Sequence, residues 1–101
     1  MDSRIDEIIE QLKNVYDPEI PVNIYDLGLI YNVDVDENGK ATIIMTLTAP
    51  GCPVADMLLD DTKKAALIVE GVEDCDVELT FEPPWDKSMM SEEARLELGF
   101  F

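Results

Sequence analysis

Apolar side chains recur every three or four residues near the start of the chain, at Ile5, Ile8, Ile9, Leu12 and Val15. This spacing predicts a helix over about residues 3–15, with one apolar face. Pro18 disfavours helical backbone at Asp17, so we expect the helix to end near Tyr16. The two prolines that follow predict a stiff, extended loop over residues 17–22.

The next pattern has a period of two. Apolar and polar residues alternate over 29–35 and again over 41–48, and Asn38-Gly39 lies between them. Alternation on both sides of an Asn-Gly turn predicts a β-hairpin. The same alternation predicts a third strand over about 73–81, with Cys75, Val77, Leu79 and Phe81 on one side of it.

Two more helices complete the pattern. Pro53 suits the first position of a helix that runs to Gly71, and Ser91 can cap a short helix that ends before Gly99. The order is α-β-β-α-β-α. It predicts an α+β two-layer sandwich, in which a small three-stranded mixed sheet carries helices on one face. A length of 101 residues suits one domain spanning 1–101.

The charge and the residue composition of the chain exclude several classes of function. Acidic residues number 23 against 7 basic ones, with no histidine, and the formal charge is -16. Such a surface repels nucleic acids and anionic membranes. A Ser-His-Asp triad, a Cys-His dyad and a His-ligated zinc site are excluded. No apolar run approaches the roughly 20 residues of a membrane span, and no signal segment opens the chain, so we expect a cytoplasmic protein with free thiols.

The two cysteines differ in their setting. Cys52 lies between a strand and a helix, in a turn built by Pro50, Gly51 and Pro53. The free N–H groups and the dipole of a helix N-terminus favour a thiolate, which would make Cys52 a nucleophile or a soft-metal ligand. The alternative is a small, buried helix-cap residue. Cys75 shares the parity of the third strand's apolar residues, and we expect it to be buried and inert.

Several polar residues could form hydrogen bonds with such a thiol or bind a metal beside it. Asp17 and Glu19 lie two apart in the stiff loop, where they can bond a thiol or ligate a metal, or simply form a helix-ending turn. Thr46 and Thr48 precede Cys52 on one strand face. Their hydroxyls can bond a thiolate, or they can be ordinary strand residues.

Two further segments have a structural interpretation. Asp26 can cap the bend that leads into the hairpin, and Gly28 there indicates a bulge or a close backbone approach. Trp85, which follows Pro83-Pro84, is interpreted as a plug of the core with a lid segment.

Four motifs in order resemble the metal–sulfur cluster assembly family of SufT-like and PaaD-like proteins, which also includes the eukaryotic cytosolic targeting subunit. They are Asp17-Pro18-Glu19, the segment 26–31, the segment 45–53 and Glu82-Pro83-Pro84-Trp85. The resemblance covers about residues 4–99 and implies the same α+β fold and a role in maturing iron–sulfur proteins. It implies functional roles for Cys52, Asp17, Glu19 and Thr48. Asp26, which opens the second motif, is included with them in the predicted functional site. Some relatives have a second hydroxyl residue where this chain has Ala49.

Three functions remain open on this basis. The first is an iron–sulfur maturation factor, not an enzyme, in which Cys52 transiently contacts iron or a cluster. One thiolate cannot hold a cluster, so other ligands would come from a second copy, a small thiol, nearby carboxylates, or a scaffold, carrier or client apoprotein. The second is a thiol-exchange enzyme, which lacks a histidine base. The third is an acidic adaptor that docks basic patches. A homodimer is compatible with the apolar C-terminal end but is not required by any sequence feature.

Overall fold

The structure is a computed structural model that describes residues 3–17, 22–47 and 55–99. Its elements follow the predicted order: α1 (Ser3–Leu12), β1 (Ile30–Val35), β2 (Lys40–Met45), α2 (Ala55–Leu67), β3 (Asp74–Leu79), a single 3-10 turn (Lys87–Met89) and α3 (Glu92–Leu98). The predicted α+β class is therefore confirmed.

The strands form one mixed sheet in the order β1-β2-β3. β1 and β2 are antiparallel, as a hairpin requires, and β2 and β3 are parallel, joined through α2. Ile43 at the centre of β2 pairs with Val33 on one side and with Val77 on the other. The register of β1 shifts between Ile30 and Asn32, shortly after Gly28, so the pairing with β2 is irregular at the start of the strand.

One face of the sheet forms the core. Ala41, Ile43 and Met45 of β2 are fully buried there, and α1 and α2 add their own buried residues to the same cluster, at Ile8, Leu12, Leu58, Ala65 and Ala66. The side chains of Asn32, Asp34, Asp76 and Glu78, which alternate with the inward-facing positions, are exposed. The helices thus cover one face, as the alternation of β1 and β3 predicts.

The first helix is shorter than predicted because the residues after it pair with a later segment. α1 ends at Leu12. Beyond it, Tyr16 forms an antiparallel bridge with Asn23, and the Val15 carbonyl accepts a hydrogen bond from the Ile24 N–H at 2.8 Å. Backbone groups committed to this pairing cannot continue the helical ladder.

The third strand is also shorter than predicted, and its far end is not buried. Cys75 is fully buried and Val77 half-buried, but Leu79 and Phe81 are 39% and 37% exposed. β3 and its pairing with β2 end at Leu79, so Phe81 lies beyond the paired residues. The predicted apolar alternation therefore buries the first half of the strand and leaves the second half partly in solvent.

The segment 80–91 runs from β3 across the end of the sheet to the loop before β1. The Thr80 N–H donates to the Met45 carbonyl at 2.9 Å, and the Ser91 N–H donates to the Asp26 carbonyl at 2.7 Å. Between them, the indole N–H of Trp85 donates to the Leu27 carbonyl at 2.7 Å. Trp85 is half-buried and packs against the core, which agrees with its interpretation as a plug.

Candidate functional site

The C-terminal end of β2 is the part of the described structure that leads directly to the predicted reactive cysteine. β2 ends at Met45, and the Thr46 N–H then donates to the Leu29 carbonyl at 2.8 Å. In open α/β sheets, ligands bind in the crevice beyond the carboxyl ends of the parallel strands. β2 and β3 are parallel and end at this same edge. Cys52 and Thr48 follow in the chain but lie outside the described residues.

Thr46 is the most unusual residue at this edge. Its side chain is fully buried, and within residues 3–17, 22–47 and 55–99 its hydroxyl is the one buried side-chain oxygen without a hydrogen-bond partner. Thr62 on α2 is equally buried, but its hydroxyl donates to the Leu58 carbonyl at 2.8 Å. Buried polar atoms are nearly always satisfied, so the Thr46 hydroxyl is an exception that needs a physical explanation.

Asp17 lies where the loop of residues 18–21 leaves the described structure. It is half-buried, and its N–H donates to the Val22 carbonyl at 3.3 Å, next to the bridge between Tyr16 and Asn23. The two ends of the loop are therefore held together by backbone pairing. Glu19, the second carboxylate predicted for the site, lies outside the described residues.

Asp26 is held in a reciprocal arrangement with Asn23. The Asp26 N–H donates to Asn23 Oδ1 at 2.9 Å, and Asn23 Nδ2 donates to Asp26 Oδ2 at 2.8 Å. The Asp26 carbonyl also accepts from the N–H of Ser91, the N-cap residue of α3. Asn23 is therefore the residue whose side chain caps the backbone of this turn, and the Asp26 carboxylate, which the sequence predicts as the cap, instead holds the Asn23 side chain in place.

A shallow cavity of about 200 Å³ lies beside this turn. Glu93 and Glu97 of α3 line it together with Asp26. No sequence motif marks these two glutamates as site residues. Their spacing of four residues places them on one helix face, but only the tertiary fold brings that face to Asp26. In the described ranges, no three His, Cys, Asp or Glu side chains are arranged to hold a metal ion. The described carboxylates alone therefore do not form a metal centre.

Cys75 has the buried position that the sequence predicts. Its side chain is fully enclosed, and it is a free thiol. Burial raises the pKa of the Cys75 thiol above its ordinary value, although Lys63 opposes the rise. A thiol that is both enclosed and held protonated is a poor nucleophile and a poor metal ligand.

No helix in the described part of the chain is long and apolar enough to cross a membrane.

Comparison with known proteins gives consistent results. Residues 5–79 match the model of a family described as iron–sulfur cluster assembly protein. The chain is 59% identical over 95 residues to the Fe-S protein maturation auxiliary factor of Porphyromonas gingivalis, covering 94% of this chain and 90% of that protein. It is 44% identical over 94 residues to the Fe-S protein maturation auxiliary factor YitW of Bacillus subtilis, covering 93% and 92%.

The fold is similar to that of a solved structure as well. A crystal structure of a domain of unknown function from Bacillus anthracis superposes with a TM-score of 0.91 at 39% sequence identity, covering 98% of this chain and 94% of that one. The similarity extends over nearly the whole length of both chains.

Proposed function

The chain belongs to the iron–sulfur cluster assembly protein family, and from that premise we propose that it is a maturation factor that helps to transfer or target clusters to apoproteins. The observation that carries the proposal is the family match over residues 5–79, a span that includes Cys52 together with Asp17 and Thr46. The names of the relatives from Porphyromonas gingivalis and Bacillus subtilis support the same role. We place this activity in the cytoplasm.

In this proposal Cys52 is the residue that contacts iron or a cluster. The chain has two cysteines, and Cys75 is enclosed in the core with its thiol held protonated. Cys52 is therefore the thiol left for soft-metal chemistry. A cluster normally takes four thiolates, so contact through one chain is transient or is completed by a second copy or a partner. The cluster is cargo in this role, and the partners are scaffolds or carriers and client apoproteins.

The proposal assigns no catalytic reaction to the chain. Nucleophilic catalysis by a thiol normally requires an adjacent base, and the sequence contains no histidine. Transfer of a cluster between proteins instead requires a labile thiolate ligand and a surface that docks the partner. The formal charge of -16 favours basic partner surfaces for that docking.

Two experiments test the role. In the first, the wild type, Cys52→Ser and the matched control Cys75→Ala are each reconstituted anaerobically with iron and sulfide and examined by absorption and Mössbauer spectroscopy. A cluster present in the wild type and in Cys75→Ala but absent from Cys52→Ser supports a carrier that uses Cys52. Equal binding by all three variants contradicts it.

The second experiment measures client enzymes in cells. A strain with Cys52→Ser is expected to lose activity of iron–sulfur enzymes, while the Cys75→Ala strain retains it at equal protein level. Normal client activity in the Cys52→Ser strain would contradict the role of Cys52. If Cys52→Ser keeps normal client activity and captures clients at low salt but not at high salt, the adaptor function is favoured.

A further inference from the structure

We propose that the Thr46 hydroxyl is kept at the C-terminal end of β2 as a hydrogen-bond donor for an anionic sulfur atom, either a thiolate or a sulfide. The inference rests on the maturation role proposed above and assigns a role to Thr46, which lies in the motif segment 45–53 but is not one of the residues to which the resemblance gives a function.

The burial of Thr46 is at odds with its position in the strand pattern. It shares parity with Thr42 and Ile44, whose side chains are only half-buried, yet its own side chain is fully buried. Its hydroxyl has no partner among the described residues. A valine has nearly the same shape and carries no polar atom, so a purely structural position would favour valine. The hydroxyl is thus better explained by a partner that arrives when the site is occupied.

The neighbouring backbone groups are already engaged. The Thr46 N–H bonds the Leu29 carbonyl, and the Met45 carbonyl accepts from the Thr80 N–H. The backbone at the end of β2 is therefore fixed on both sides, while the side-chain hydroxyl of Thr46 has no hydrogen-bond partner among the described residues. A threonine hydroxyl can rotate its hydrogen toward whichever acceptor is present. Fixed backbone with one free donor is the arrangement expected of a preorganised binding group.

The net negative charge of the chain explains why an uncharged hydrogen-bond donor would help to stabilise an anionic sulfur atom. With a formal charge of -16, a bound thiolate or sulfide is repelled by most of the surrounding protein. Lys13, Lys40 and Lys64 are held in exposed ion pairs with neighbouring carboxylates. Hydrogen bonds to charged acceptors are about twice as strong as bonds between neutral groups. A hydroxyl can supply such a bond without adding or needing a charge.

The acceptor has two sources with the same chemistry. One is the thiolate of Cys52, six positions further along the chain, and the other is the sulfide or thiolate of a bound cluster. The experiment uses Thr46→Val, which removes the hydroxyl, Thr46→Ser, which keeps it, and Thr62→Val as the matched control. Thr62 is equally buried, and its hydroxyl is already bonded to Leu58.

The first measurement is stability, by urea unfolding of the metal-free protein. Thr62→Val breaks an internal hydrogen bond and is expected to raise the unfolding equilibrium constant about fivefold. Thr46→Val breaks none and is expected to leave that constant unchanged or to lower it. If Thr46→Val is as destabilising as Thr62→Val, the hydroxyl has an internal partner in solution and the inference is wrong.

The second measurement tests the Cys52 thiolate. Alkylation of each cysteine by iodoacetamide is followed against pH by peptide mass mapping, with buried Cys75 as the internal control. If the acceptor is Cys52, Thr46→Val slows alkylation of Cys52 about tenfold at neutral pH and shifts its profile to higher pH. Thr46→Ser restores the wild-type profile, and Thr62→Val leaves it unchanged.

The third measurement tests a bound cluster. If Cys52 alkylation is unchanged, Thr46→Val reconstituted with iron and sulfide should release iron to a chelator about tenfold faster than the wild type, with shifted charge-transfer bands. Wild-type behaviour of Thr46→Val in both assays overturns the inference. A wild type that binds no cluster contradicts the carrier role instead, and the alkylation profile alone then decides for or against Thr46.

Discussion

The carbonyl oxygen of Met89 occupies the space that a Cβ atom at position 28 would need. Gly28 has a φ of 84°, in the left-handed region, and the carbonyl carbon of Met89 lies 2.7 Å from the ideal Cβ position. The contact joins the turn before β1 to the 3-10 turn of residues 87–89. Glycine at this position thus permits both the backbone angle and the close approach of two segments that are far apart in sequence.

Replacing this glycine should therefore be costly. Gly28→Ala is expected to lower the free energy of unfolding by about 3 kcal/mol, because left-handed strain and overlap with a backbone carbonyl add together. Gly99 is the matched control: its φ is 77°, but nothing lies within 4 Å of a Cβ there. Gly99→Ala should cost only about 1 kcal/mol. Urea unfolding followed by Trp85 fluorescence measures both variants. Equal losses of unfolding free energy would show that residues 87–89 move aside to make room for the new Cβ atom.

Two side-chain hydrogen bonds hold the segment 80–91 against the sheet end. Tyr31 donates its hydroxyl to the Pro83 carbonyl at 2.7 Å, and the Trp85 indole donates to the Leu27 carbonyl at the same distance. Tyr31→Phe and Trp85→Phe are each expected to lower stability by about 1 kcal/mol. The double variant should lose less than the sum, because both bonds hold one segment.

Circular dichroism during thermal unfolding measures these variants, since Trp85→Phe removes the only tryptophan. Tyr25→Phe is the control for Tyr31→Phe, because the described structure gives the Tyr25 hydroxyl no hydrogen bond. Its melting temperature should match the wild type. A strictly additive double variant would show that Tyr31 and Trp85 act on separate units.

The carboxylate of Asp26 should be replaceable by an amide. Asp26→Asn keeps an oxygen that can accept from Asn23 Nδ2, so we expect stability within about 0.5 kcal/mol of the wild type. Asp26→Ala removes the acceptor and should cost about 1 kcal/mol. Because the Asp26 carboxylate stabilises the turn by accepting from Asn23, Asp26→Asn is also expected to support client maturation in cells. Lost maturation in a stably folded Asp26→Asn protein would instead indicate that its charge acts in the site.

Cys75 should make stability depend on pH in the alkaline range. Burial raises the pKa of its thiol, so the unfolded chain loses this proton at a lower pH than the folded protein does. Above the ordinary thiol pKa of about 8.5, the folded state then binds more protons, and stability falls as pH rises. Cys75→Ala should flatten the decline in urea midpoint between about pH 8.5 and 10. An unchanged slope would show that other groups cause it.

The sequence predicts the elements of this fold well where the local residue pattern is enough to determine the element. The hairpin follows from alternation around Asn38-Gly39, and the close approach at Gly28 follows from the glycine itself. The ends of α1 and β3 are predicted less well. They depend on the pairing of residues 15–16 with 23–24 and on the point where β3 stops pairing with β2, and no local sequence pattern contains either of these tertiary facts.

In the candidate site, too, the sequence predicts some features and leaves others to the tertiary fold. The sequence identifies Thr46 as a hydroxyl on the strand that leads to Cys52, but it predicts Asp26 as the cap of a bend that Asn23 caps instead. It cannot show that the Thr46 hydroxyl is unsatisfied while that of Thr62 is bonded, because this depends on the atoms that surround each buried side chain. The roles of Cys52, Glu19 and Thr48 stay predictions, since these residues lie outside the described ranges.

The parallel pairing of β2 with β3 has a consequence for the order of folding. The antiparallel pair of β1 and β2 can form within one short stretch of chain, because a tight turn joins them. β3 can join only after the whole crossover through α2 has been brought back to the sheet, and such non-local contacts form late. The bond from Thr80 to Met45, which closes the sheet at the candidate site, therefore belongs to the late-forming half of the molecule. In native-state hydrogen exchange, the Thr80 amide at this end of the sheet is therefore expected to exchange faster than the amides that pair β1 with β2.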